Sequence, residues 1–239
     1  MLSLLKIPAI LFFDLIDFIH RKRILKFLNK IKKNINIFFD VGAHKGKYTD
    51  LIINNYKVKK AFLFEPQENC YNFILEKYKN KNYIKTFNSI VSNSEIKKEI
   101  LINKHDLTSS LTEINFDNSY LKFKAKLFGT NLEGMIIKKT LVKSLQLEKL
   151  ILDNLIEKID LIKIDTEGHE YEVLQGIGKS IKKIDIILIE FHKDDIYLNY
   201  NSDKIHNHLL ENNFLLKKIF KFPFTKWEDR IYIKSQKGN

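Results

Sequence analysis

Short, nearly continuous apolar runs alternate with amphipathic stretches along this chain, and that alternation predicts the fold. The apolar residues leading up to about Lys33 predict a helix. INIFFD at residues 35–40 is then the kind of run expected of a strand covered on both faces. Residues 49–56 predict a helix, and AFLFE at 61–65 a strand stopped by Pro66. Residues 67–78 place Tyr71, Phe73, Ile74, Leu75 and Tyr78 at amphipathic spacing, and 83–87 form a third strand. The middle is less regular. Residues 96–102 and 135–142 read as extra strands around a Ser/Thr/Asn-bearing stretch, 106–131, that fits no element. Regular alternation then resumes: helix 145–155, strand 159–165, helix 169–176, strand 185–191, helix 202–212, and strands 214–220 and 230–234. Such an order predicts an α/β fold with a mostly parallel sheet and helices on both faces. The last two strands are joined without a helix, so a C-terminal strand is expected to run antiparallel.

Composition changes this picture little. With 239 residues, 44% of them hydrophobic, the chain suits one sizeable domain, and neither an internal repeat nor a Pro/Gly/Ser linker divides it. Cys70 is the single cysteine, which rules out an internal disulfide and suits a reducing, cytoplasmic setting. The net charge of +12 invites a nucleic-acid reading, but only three of the 41 basic residues are arginines and the lysines are scattered. Readers of nucleic acid depend on Arg forks and clustered charge, so that class is set aside. Residues 2–19 are apolar but carry Lys6, Asp14 and Asp17. Each carboxylate costs roughly 2.5–3.5 kcal/mol at a bilayer centre, which argues against a spanning helix. No small-residue cleavage site follows, so a secretory signal is not expected. A helix docked on the domain is the expectation, with peripheral membrane contact through residues 2–19 as the other reading.

The chemistry-bearing positions fall at strand ends. Asp40-Val41-Gly42-Ala43-His44-Lys45-Gly46 follows the first buried strand, where an open α/β sheet binds ligands. Its first position is acidic, unlike the dinucleotide fingerprint, and it lacks the Lys-Ser/Thr pair of a phosphate loop. An acidic residue there repels a pyrophosphate but suits the ammonium of an amino-acid moiety. Glu65 closes the next strand, 25 positions after Asp40, where a carboxylate can accept hydrogen bonds from both ribose hydroxyls. Together the two point to a nucleoside cofactor. IDLIKIDTEGHE at 159–170 brings Asp165 and Glu167 to the same rim. Glu190-Phe191-His192 ends the strand after it, and its polar side chains offer a base or part of a divalent-metal site. Glu170 reads as helix N-terminal chemistry.

These segments resemble the FkbM family of methyltransferases: Phe39 to Ala43, Phe64-Glu65-Pro66, and Ile159 to Leu174 with Gly176. The resemblance covers roughly residues 35–191, and more loosely the C-terminal strands, and implies a Rossmann-like class I methyltransferase fold; residues 35–239 are read as that domain, with 1–34 as an N-terminal helical segment. It also implies use of S-adenosyl-L-methionine and methyl transfer to an oxygen of a glycan or small metabolite. On that basis Asp40, Gly42, Ala43 and Gly46 are expected at the methionine end of the cofactor. Glu65 is expected at the ribose, Pro66 in the turn, and Asn88 and Ser89 near adenine. Ser109-Ser110-Leu111 resembles a family element that approaches the cofactor, making Ser110 a further candidate. Two parts depart from the pattern: residues 1–34, and Ser144-Leu145-Gln146 where the family usually has Thr-Leu-Asp.

An alcohol is a poor nucleophile at neutral pH, so a base is expected beside the transferred methyl. Asp165 is the first candidate, followed by Glu167, Glu190 and His192. Residues 193–201, with Tyr197 and Tyr200, and residues 106–131 are expected to meet the hydroxyl-bearing acceptor. A nucleotide-sugar or dinucleotide-dependent enzyme on a similar sheet is the alternative in another class. A non-catalytic methyltransferase-like subunit is the alternative outside catalysis.

Overall fold

Runs of isoleucine, phenylalanine and leucine become the central strands because helices cover both faces of the sheet. β7 (Ile159–Ile164) is buried at every position, and β1 (Ile37–Val41), β2 (Lys60–Phe64) and β8 (Ile184–His192) nearly so. The computed structural model describes residues 2–103, 114–119, 121–122, 125, 136–223 and 225–235. With β3 (Ile84–Phe87), β9 (Phe214–Lys221) and β10 (Trp227–Lys234), the main sheet has the order β3-β2-β1-β7-β8-β10-β9. β10 is antiparallel to both of its neighbours, while the pairings among β3, β2, β1, β7 and β8 are parallel. The expected class I methyltransferase architecture is therefore present. The chain winds outward from β1 through β2 and β3 and returns to β7, so the switch point lies between the carboxyl ends of β1 and β7.

Adjacent residues of one strand feed opposite cores. Phe38 packs with Ile24 and Leu28 of α1 (Leu2–Ile31), Ile52 of α2 (Lys47–Ile53) and Ile74 of α3 (Glu68–Tyr78). Phe39 faces the other way, toward Ile151 of α4 (Leu147–Asp153), Leu174 of α5 (Glu170–Ile177) and Leu209 of α6 (Ser202–Glu211). A smaller sheet of β4 (Ile90–Val91), β6 (Ile136–Leu145) and β5 (Lys97–Asn103) has the order β4-β6-β5.

Three details differ from the pattern-based expectation. β6 continues to Leu145, so the following helix begins at Leu147; the Ser144 hydroxyl accepts from the Ile96 amide at 3.0 Å and holds that residue in the sheet. β4 is too short to show periodicity. β10 starts at Trp227, ahead of the apolar run, because Glu228 is satisfied by Lys193 at 2.9 Å and Arg230 at 2.7 Å.

The two ends of α1 differ. Its second half docks, with Ile24, Leu25 and Leu28 buried and the His20 Nε2 2.8 Å from Asp229 Oδ2. Lys32, just beyond the helix, reaches Asp160 at 2.9 Å and also pairs with Asp185. The first half leaves Phe12, Leu15, Phe18 and Ile19 about half exposed. Among the described residues, no helix is long and apolar enough to cross a membrane.

Candidate active site

The loop after β1 is shaped by close backbone contacts. Gly42 has φ +78°, and a Cβ there would lie 1.8 Å from the Asp165 carbonyl oxygen, so only glycine fits against the end of β7. The amides of Gly42 and Ala43 both donate to the Phe64 carbonyl at 3.0 Å. Glu65 then gathers the loop: its carboxylate accepts from the His44 amide at 2.7 Å and the Gln67 amide at 2.8 Å. Burial raises its pKa to about 7 although those two hydrogen bonds, that from Gln67 first, oppose the shift.

A cavity of about 180 Å³ opens at the carboxyl ends of β1, β2 and β7. Of the residues singled out from the sequence, Gly42, Glu65, Pro66, Ser89, Asp165 and Glu167 line it. His44, Gln67 and Thr166 complete this part of the wall. The remaining cofactor candidates stand behind it. Asp40 is fully buried below the loop and accepts from the Thr49 hydroxyl at 2.6 Å. Ala43 packs into the core beside Ile52 and Ile74. Gly46, at φ +75°, starts α2 against the Tyr78 ring. The Asn88 side-chain amide braces the turn by donating to the carbonyls of Glu65 and Pro66 at 3.0 and 3.1 Å. Ser110 lies outside the described residues.

Lys163, which the motif reading passed over, ties these pieces together. Its buried ammonium donates to the Gly42 carbonyl at 2.9 Å, pairs with Asp165 at 3.0 Å and lies 3.6 Å from Asp40. It also stands 5.1 Å from the Tyr48 ring centroid. Burial alone would lower its pKa, but Asp165 and then Asp40 raise it above the usual lysine value. The signal was available: a lysine in the middle of an otherwise apolar buried strand has to be paired.

Beyond the cavity lies an anionic cluster built from the ends of β7 and β8. Burial would raise the Asp165 pKa, but Lys163 first, then His192 and a hydrogen bond with Glu190, hold it below the ordinary value. Glu190 is pushed well above the usual range by burial and by the Asp165 charge. His192 is lowered by burial but carried to about 10 by Glu190, then by Glu170 and Glu167. Glu167 sits at φ +55° and accepts a hydrogen bond from the Tyr197 hydroxyl. Gly168, at φ +97°, lets Tyr197 close over the turn; a Cβ there would lie 2.7 Å from the Tyr197 ring. Glu170 holds the same turn through the Thr166 amide at 2.8 Å and the Gly168 amide at 3.2 Å. His169 points elsewhere, with Nε2 3.0 Å from the Ser92 hydroxyl and a pKa lowered to about 3 by burial and Lys98.

Residues 40–216 match the Methyltransferase FkbM domain. The chain belongs to the FkbM methyltransferase family. The FkbM match begins at the cavity-forming loop and ends inside β9. Hexuronic acid methyltransferase AglP of Haloferax volcanii is 22% identical over 170 residues, which is 71% of this chain and 61% of that protein. The chain thus spans less than two thirds of that relative's length. The crystal structure of methyltransferase FkbM from Methylobacillus flagellatus KT superposes with a TM-score of 0.52 at 16% identity, covering 84% of this chain and 43% of that one. Magnesium protoporphyrin IX methyltransferase (ChlM) from Synechocystis PCC 6803, with bound SAM, gives a TM-score of 0.50 at 10% identity, covering 90% and 78%. At these identities the superpositions speak to the shared fold.

Proposed function

We propose that this FkbM protein is an S-adenosylmethionine-dependent O-methyltransferase acting on a hydroxyl of a glycan, with a uronic-acid-bearing saccharide as the first acceptor to try. The observation that carries the reading is the placement of Glu65. A buried carboxylate is held by two backbone amides on the wall of a cavity at the switch point of a class I methyltransferase sheet. Residues 35–239 form the methyltransferase unit, with 1–34 appended, and a reducing cytoplasm suits the buried Cys70.

The residues present fit the cofactor. Glu65 accepts from the ribose hydroxyls, Gly42 gives the backbone room for close approach, Pro66 shapes the turn, and Ser89 lies toward adenine. Asp40, Ala43, Gly46 and Asn88 act from beneath by fixing the loop. The cofactor supplies an electrophilic methyl on a sulfonium. The protein's part is to align an acceptor hydroxyl with it and receive the proton. Asp165, on the cavity wall and beside Lys163, is the nearest acceptor of that proton, with Glu167, Glu190 and His192 behind it. Tyr197, expected from the sequence at the acceptor, is buried with its hydroxyl on Glu167 and acts by holding that carboxylate. The hexuronic acid acceptor in the name of the haloarchaeal relative supports the choice of saccharide.

Calorimetry with S-adenosylhomocysteine tests the cofactor assignment. Saturable binding is expected, weakened about tenfold or more in Glu65→Gln, whose amide nitrogen cannot accept from one of the two backbone N–H groups and so also lowers the melting temperature by a few degrees. Absence of both heat and thermal shift at millimolar ligand would reject it.

A further inference from the structure

We propose that Glu167, Glu190 and His192 form a binding site for a divalent transition-metal ion beside the cofactor cavity. One ligand atom from each residue lies within 4.8 Å of the other two. An ion bonded at about 2.1 Å to each in tetrahedral geometry holds its ligands roughly 3.4 Å apart, so side-chain shifts of up to about 1 Å complete the arrangement.

The independent pointer is His192. Its side chain is 1% exposed, and its Nε2 is 3.1 Å from Glu190 Oε2. That contact engages Nε2, but Nδ1 has no hydrogen-bond partner among the described residues. Tyr197, Tyr200 and Trp227 surround the ring nearly edge-on at centroid distances of 4.8, 5.5 and 6.0 Å, which fixes its orientation without satisfying Nδ1. A buried imidazole left in this condition calls for a ligand. Glu167 and Glu190 bring two carboxylates to the ring, Lys163 is already engaged by Asp40 and Asp165, and an ion binding here displaces the proton that His192 shares with Glu190. The Tyr197 hydroxyl on Glu167 orients that ligand from outside, as carboxylate ligands require. One imidazole with two carboxylates suits Mn²⁺, Fe²⁺ or Zn²⁺ better than the all-oxygen cages of Mg²⁺ or Ca²⁺.

The role of such an ion rests on the methyltransferase reading; its binding does not. An acceptor hydroxyl oxygen bonded to the ion has a lowered pKa. Its proton passes to Asp165, the oxygen forms the new C–O bond, and the C–S bond breaks with its electron pair staying on sulfur.

Mn²⁺ is the probe, titrated into the full chain while electron paramagnetic resonance follows the free hexaaqua ion. One saturable site is expected. Affinity should fall about tenfold or more in Glu167→Gln, which alters a partly exposed turn and keeps the fold, and likewise in Glu190→Gln. No saturable binding up to millimolar Mn²⁺, or wild-type affinity in both variants, overturns the site. The same samples titrated with S-adenosylhomocysteine separate the two readings. Cofactor binding without Mn²⁺ binding sinks the ion alone, and Mn²⁺ binding without cofactor binding supports the ion and sinks the methyltransferase reading.

Discussion

If Glu65 holds the ribose as proposed, it links cofactor binding to pH. Its pKa rises from 4.5 in an ordinary glutamate to about 7 here, chiefly through burial. Between those values the unfolded chain has lost the proton and the folded chain keeps it, so raising pH across that window lowers stability. Ribose hydroxyls need the ionised form as acceptor. Affinity for S-adenosylhomocysteine is therefore expected to tighten between about pH 6 and pH 8, with a flat profile in Glu65→Gln. A flat wild-type profile would place Glu65 away from the ribose. Lys163 makes the second prediction at this scale. Lys163→Met leaves Asp40 and Asp165 without their shared cation, and unfolding free energy should drop by about 3–5 kcal/mol. Chemical denaturation reads this directly; a loss under about 1 kcal/mol would mean the buried charges have another partner.

At the scale of elements, the loop from Asp40 to Gly46 works as a spacer between β1 and β7. Gly42→Ala would set a methyl against the Asp165 carbonyl and strain a positive φ. The expected loss is about 3 kcal/mol, a fall of roughly 6–12 °C in melting temperature for a domain of this size, together with weaker cofactor binding. An unchanged melting curve would mean that β7 can back away. The strands of the main sheet, though not their order across it, were legible because each buried run is bounded by a glycine, proline or acidic strand end, as at Asp40, Pro66 and Asp165. The Glu65 and Asp165 ends were legible as one rim for the same reason, whereas Asp40, expected beside them, is buried beneath the loop. Two things were not. Which candidates face the cavity depends on the pitch of the loop, so Ala43 and Gly46 look equivalent to Gly42 in sequence but turn into the core and against Tyr78. β4 is only two residues long and owes its existence to pairing with Ser144 and Leu145, a contact no local pattern announces.

For the whole molecule, α1 is half inside and half outside. Removing residues 2–19 discards the exposed Phe12, Leu15, Phe18 and Ile19 and the ion pairs of Asp14 and Asp17 with Lys47 at 3.0 and 3.2 Å. Such surface pairs are worth about 0–1 kcal/mol, so the melting temperature should move by less than about 4 °C. Removing residues 2–33 takes away Ile24, Leu25 and Leu28, uncovers Phe38 and Phe220, and should yield aggregated protein on size-exclusion chromatography. Equal behaviour of the two truncations would contradict the docked half of the helix. The position of β10 carries a different consequence. β8, which bears Glu190 and His192, has β10 as its outer neighbour, although more than thirty positions separate Glu190 from the nearest residue of that strand. During translation, then, the rim holding Glu190 and His192 stays open at one side until residues 227–234 have left the ribosome, and a nascent chain stalled before them presents a bare, hydrogen-bonding edge that chaperones would have to shield.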